Sequence, residues 1–167
     1  MITRTRVLLI ISVLIFVLFS IIKNSGGEAI MTEKNAPGTN DPGIVTIKSR
    51  LSFSQTVERL KTAFQSHGIK VFDVIDQQAE ARTAGLDMPP MVLILFGNPK
   101  AGTPLMVARP LSGLDLPLKA LVTEAKAGEV LVSFNSSKYI LKRHGLPNEL
   151  GSNIAPAERL IASALGE

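Results

Sequence analysis

Apolar and polar positions change their period several times along this chain, and each change marks an element. The first stretch has no period at all. Val7 to Ile22 reads VLLIISVLIFVLFSII, interrupted only by Ser12 and Ser20. A helix of that length rises about 24 Å, short of a hydrocarbon core about 30 Å thick. Snorkelling of Arg6 and Lys23 with local thinning makes up the difference. A signal-peptide core runs about 7–15 residues and ends in a small-x-small cleavage site, which KNSGGEA matches poorly. The favoured reading is an uncleaved single-pass signal anchor over residues 1–25. It holds Arg4 and Arg6 on the cytoplasmic side and the rest on the periplasmic side of the inner membrane. A cleaved signal would also export the remainder of the chain. From Lys23 to Gly43, Asn, Gly, Pro, Thr and Asp replace any apolar period, so residues 26–43 read as a flexible tether.

Periodicity begins near Ile44, and residues 44–167 read as one domain. Ile44 to Lys48 alternates, as a strand does. Ser52 or Ser54 then caps a helix whose Val57, Leu60, Ala63 and Phe64 form one stripe, stopped by Gly68. Val71 to Ile75 is a β-branched run ending at Asp76, and Gln77 to Ala84 is a short helix before Gly85. Met91 to Phe96 is continuously apolar, which predicts a central strand buried on both faces or placed at a dimer contact. Pro104 suits the first turn of a short helix, Pro104 to Ala108, and Pro110 ends it. Leu116–Val122 and Val130–Phe134 form a hairpin. Ser136 or Ser137 caps a helix to Arg143, and a last helix runs from Pro156, at its first position, to Leu165. These elements predict an α+β fold of two layers, helices packed on a mainly antiparallel sheet.

Composition narrows the partners. The 167 residues carry a formal charge of +4, but Arg4, Arg6 and Lys23 lie before Ser25. Without them, 15 basic residues face 14 acidic ones. A nearly neutral domain has no field to gather nucleic acid, so no nucleic-acid partner is expected. The absence of cysteine removes disulfides, thiolate metal sites and cysteine nucleophiles. His67 and His144 each precede a glycine where a helix ends, a place that suits imidazole near the helix C-terminus better than a metal pair. No metal site, cofactor or catalytic residue is read from the sequence.

Several segments are familiar together: Phe53 with Thr56 and Leu60, Val71-Phe72 to Ile75-Asp76, Ala81 with Gly85-Leu86, FGNPKAGTPLM from Phe96, LDLPLK from Leu114, and the late RHGL. Over about Ile44 to Leu146 the chain resembles the family called domain of unknown function 302. The resemblance implies a compact α+β domain, often dimeric and in some members exported, and no established activity. The family pattern places a histidine after the residue matching Asp76. Here Gln77 stands there, so the resemblance carries no Asp–His chemistry to this position.

The remaining candidate chemistry lies in Gly97, Asn98, Lys100, Gly102 and Thr103. Between a strand and a helix start, backbone N–H groups and Lys100 could hold a small anion. A P-loop needs Lys and Ser or Thr after its second glycine; Thr103 and Pro104 stand there instead. The competing reading is a stiff turn in which Asn98 bonds its own backbone. Asp76 and Asp115 complete the candidate ligand-binding set, each doubling as a cap for a neighbouring helix or turn. The function expected is a membrane-anchored, self-associating module that binds a small anionic ligand or a protein without catalysis. The alternative is an enzyme using Lys100 with Asp76 or Asp115 on an anionic substrate. A cavity shared by these side chains would favour the enzyme.

Overall fold

In the computed structural model, residues 43–125 and 128–166 are described. The expected anchor and all but the last residue of the expected tether lie outside them. The strands are β1 (Ile44–Ser49), β2 (Lys70–Asp76), β3 (Met91–Gly97), β4 (Leu118–Glu124) and β5 (Val130–Asn135). The helices are α1 (Phe53–Ser66), α2 (Gln77–Thr83), α3 (Pro99–Ala108), α4 (Ser137–His144) and α5 (Gly151–Leu165), with 3₁₀ turns at Pro110–Leu114 and Asn148–Leu150. The strands form one antiparallel sheet in the order β1-β5-β4-β3-β2. This is the α+β fold the periodicity predicts, with helices laid on an antiparallel sheet.

Burial explains the layering. Ile47, Val92, Ile94, Phe96, Ala120, Val122, Val132 and Phe134 share one core with Val57, Leu60 and Phe64 of α1 and Ala157, Ile161 and Leu165 of α5. Phe64 stacks on Phe96 with ring centroids 3.9 Å apart. The side chains between them on the strands, Met91, Leu93, Leu95, Leu121 and Leu131, point away and are only half-buried. This corrects the expectation that β3 is buried on both faces. Its run of apolar residues alternates between a covered face and a partly open one, because α1 and α5 lie on one side of the sheet.

Local signals set most helix ends. Ser52 and Gln55 form a capping box for α1, and Ser136 caps α4, which closes at Gly145 with φ +58°. A left-handed closing residue of this kind favours glycine. Two predicted starts were late. α5 begins at Gly151 rather than Pro156, because the turn at Asn148–Leu150 runs straight into it and Ile154 is buried in a second cluster with Leu105, Ile140, Leu141 and Leu146. α3 begins at Pro99 rather than Pro104. Pro117 stands before β4, not within it, and the Leu116–Pro117 peptide bond is cis. Among the described residues no helix is long and apolar enough to cross a membrane.

Candidate functional site

The early start of α3 changes the character of the expected loop. Asn98 is the helix cap, Pro99 the first helical residue, and Lys100, Gly102 and Thr103 lie inside the helix. The amide of Lys100 donates to Asn98 Oδ1 at 2.9 Å, and the amides of Ala101 and Gly102 both donate to the Asn98 carbonyl at 2.9 Å. Pro99 has no N–H. The first turn therefore keeps none of the free donors on which an anion at a helix start depends.

Gly97, Asn98, Gly102 and Thr103 nevertheless line a cavity of about 240 Å³, together with Phe72, Pro99, Ala101, Met106 and Leu116 to Leu118. Its wall is mostly hydrocarbon. Gly97 and Gly102 leave room there: a Cβ at Gly97 would stand 3.7 Å from Phe72 Cε2 and 3.8 Å from Pro117 Cβ, and one at Gly102 would stand 3.6 Å from Leu116 Cδ1. Their value at this site is the space a missing side chain opens beside the cis peptide and the Phe72 ring.

The charged candidates lie elsewhere. Asp76, at the end of β2, pairs with Val92 near the start of β3, and its Oδ1 accepts the Ala79 amide at 2.9 Å as the cap of α2. Lys100 follows the opposite end of β3, so the strand's length, about 20 Å, separates them. Lys100 is exposed and does not line the cavity. Asp115 is buried, also outside the cavity wall, and holds a partner the sequence reading missed: its Oδ2 accepts His144 Nε2 at 2.6 Å, with Arg143 Nη1 at 3.5 Å from Oδ1. No sequence spacing joins these residues, which stand 29 positions apart. The one legible hint was that His144 ends a helix, a position that suits a proton-bearing imidazole. His67 follows the predicted pattern, its Nδ1 2.9 Å from the Ala63 carbonyl near the end of α1.

Lys119 completes the polar group around Asp115. Its Nζ donates to the carbonyls of Pro117 at 3.1 Å and Leu114 at 3.4 Å. Partial burial pushes its ammonium below the ordinary lysine value, and the nearby Asp115 charge offsets part of that shift. Ser112 Oγ, in the same turn, is buried without a hydrogen-bond partner. Among the described residues no cluster of three or more His, Cys, Asp or Glu side chains could hold a metal ion.

Comparison with known proteins places this geometry. The family described as "Domain of unknown function DUF302" matches residues 45–165. A solved structure titled "Crystal structure of uncharacterized conserved protein DUF302 from Bacillus stearothermophilus" superposes with a TM-score of 0.64 at 22% identity, covering 74% of this chain and 96% of that one. At that identity the likeness shows the fold. Curated relatives named "Fluoride-specific ion channel FluC 1", from Brucella suis biovar 1 and Brucella abortus biovar 1, are each 43% identical over 115 residues. The match takes in 69% of this chain but only 44% and 42% of those relatives, so the chain spans less than half their length.

Proposed function

The chain belongs to the DUF302 family, and from that premise we propose that it is a membrane-anchored, exported binding module that holds a small ligand by its apolar part in the cavity of Phe72, Met106 and Leu116–Leu118. One observation carries this reading: none of the residues lining the cavity is titratable. Proton transfer needs a positioned acid or base, and this wall offers only the Asn98 amide, already engaged as a helix cap, and the Thr103 hydroxyl. Asp76 stands a strand's length from Lys100, and neither of them nor Asp115 lines the cavity, which weighs against the alternative enzyme. The cavity lies just below the roughly 300 Å³ at which drug-sized sites begin, which suits a short aliphatic group.

Two further observations support the setting. The run Val7–Ile22 has the character of an anchor, and the relatives 43% identical over 115 residues are longer chains named as ion channels. The half-open sheet face of Leu93, Leu95, Leu121 and Leu131 supports self-association, since paired apolar faces bury what one copy leaves wet.

Octanol and octanoate are suitable probes, followed through the methyl resonances of Met106 and Leu116. Both are expected to give saturable shifts. Gly97→Val fills the space between Phe72 and Pro117 and weakens both by about tenfold or more, roughly 1.4 kcal/mol, while the thermal midpoint stays within a few degrees. Lys100→Ala leaves both affinities within about twofold. Shifts that ignore Gly97→Val sink the cavity reading. A tenfold loss with Lys100→Ala for octanoate alone restores the anionic one.

A further inference from the structure

The two ends of the sheet face solvent differently. Antiparallel pairing brings Ile44 beside Asn135, Leu118 beside Phe96 and Lys70 beside Gly97. The start of β1, where the chain enters the domain, therefore lies at the same end as the crossover from β3 to β4 that contains α3 and the Pro110–Leu114 turn. Seven large hydrophobic side chains are exposed among the described residues, and five belong to this crossover or to the start of β2: Phe72, Met106, Val107, Leu111 and Leu114. Val107, Leu111 and Leu114 are 78%, 72% and 68% exposed. Met106 joins the group, since it shares the cavity wall with Phe72 and its Sδ lies 3.7 Å from where a Cβ of Gly113 would stand. Soluble surfaces usually scatter such side chains singly.

The charges of the crossover's exposed side chains have one sign, while β2 contributes both Lys70 and, next to Phe72, the exposed Asp73. Lys70 Nζ lies 4.8 Å from the centroid of the Phe72 ring, and Lys100 and Arg109 are exposed on the crossover. Among the described residues none of these three cations forms an ion pair. Asp115 is the single carboxylate between Gly97 and Lys119, and it is buried against His144. Apolar side chains among unneutralised cations suit the boundary of an anionic bilayer, where the former enter about 5–10 Å and the latter meet lipid phosphates.

We propose that this end of the domain docks onto an anionic phospholipid bilayer through Val107, Leu111 and Leu114, flanked by Lys70, Lys100 and Arg109. The inference rests on the membrane-anchored reading above and adds the surface that meets the lipid. Chain length supports it: residues 23–43 reach at most about 70 Å when fully extended, so an anchored domain stays within that distance of the surface. A contact too weak to recruit a free protein is then sufficient. Docking brings the Phe72–Met106 wall of the cavity to the lipid, where an apolar ligand would be met.

The absence of cysteine permits a clean test on the full chain. Single substitutions Val107→Cys, Leu111→Cys and, at the opposite end of β1, Arg50→Cys are all at exposed positions, and each is labelled with a nitrobenzoxadiazole fluorophore. The proteins are reconstituted in phosphatidylcholine vesicles with or without phosphatidylglycerol, containing nitroxide-labelled lipid. Strong quenching is expected at 107 and 111 and little at 50, and Lys100→Gln and Arg109→Gln each lower the docked population by roughly fivefold. Resistance to an alkaline carbonate wash reads the anchor separately. Protein retained in the wash but unquenched at 107 and 111 overturns the docking and leaves the anchor standing. Equal quenching at 50 overturns it as non-specific. A spectral shift at 107 and 111 that follows protein density and ignores the lipid quencher assigns the surface to a second copy instead. Protein lost in the wash sinks the anchor and the docking with it.

Discussion

Asp115 and His144 show how much a single side chain's role depends on what folding brings beside it. Along the chain Asp115 follows a turn and reads as a local cap; in the fold it is the buried acceptor for an equally buried imidazole at 2.6 Å. Removing either partner leaves the other desolvated without its bond, which costs about 2–4 kcal/mol. In a double-mutant cycle by chemical denaturation, Asp115→Ala and His144→Ala are expected to be strongly non-additive, with a coupling of about 1–3 kcal/mol; additive losses would show that the contact contributes nothing of its own. Lys119 gives a pH signature. Its folded-state value is lowered, so the unfolded chain binds more protons between that value and 10.5. The cost of the buried ammonium is fully present below the lowered value and disappears as pH rises through the window. Stability of the wild type should therefore gain from this group on approaching pH 10.5. Lys119→Met should flatten that part of the profile, measured as the denaturant midpoint against pH.

At the scale of elements, α3 is the instructive case. Thr103-Pro104 and Asn98-Pro99 are both a capping residue followed by a proline, and nothing local chooses between them. Gly97, just before the first pair, and Gly102, between the two, argued for a loop. Packing decided otherwise: Leu105 is fully buried, and Asn153 of α5 donates to the Ala101 carbonyl at 3.1 Å, fixing the first turn against a neighbour distant in sequence. Pro104 then removes only one intrahelical bond, to the Lys100 carbonyl. Asn98→Ala is expected to cost about 1 kcal/mol, read from urea unfolding, because its side chain caps the helix; an unchanged midpoint would mean that the tertiary contacts alone hold the turn. The hairpin, α1, α2 and α4 were legible because their caps, stripes and closing glycines are local. The α5 start was not, since Pro156 imitates a first position while residues 151–155 hold the helix through burial of Ile154.

For the molecule as a whole, the open side of the sheet is the surface with the clearest consequence. Leu93 pairs with Leu121 across β3 and β4, in the middle of the half-buried face. If copies associate there, Leu93→Lys should shift sedimentation towards the monomer while near-ultraviolet and far-ultraviolet spectra stay unchanged. Wild-type sedimentation as a monomer at all concentrations would remove this face from consideration. The alternation of buried and half-buried side chains along β3 was concealed in the sequence, where both faces are apolar and the period of two leaves no trace. The two-layer arrangement was predicted from the elements, but which face of β3 is covered became clear only when α1 and α5 were seen lying on one side.

Sequence alone determined the elements, their antiparallel α+β arrangement and the family, because capping, periodicity and motif identity are properties of neighbouring residues. It also singled out Gly97, Asn98, Gly102 and Thr103, which do share one cavity. Tertiary structure decided the chemistry of that cavity. Its wall comes from β2, α3 and the approach to β4, and strand direction sets Asp76 at the far end of the sheet from Lys100, while burial against His144 engages Asp115. Strand direction places residues close in the sequence at opposite ends of a sheet, and joins Asp115 to His144 across the fold.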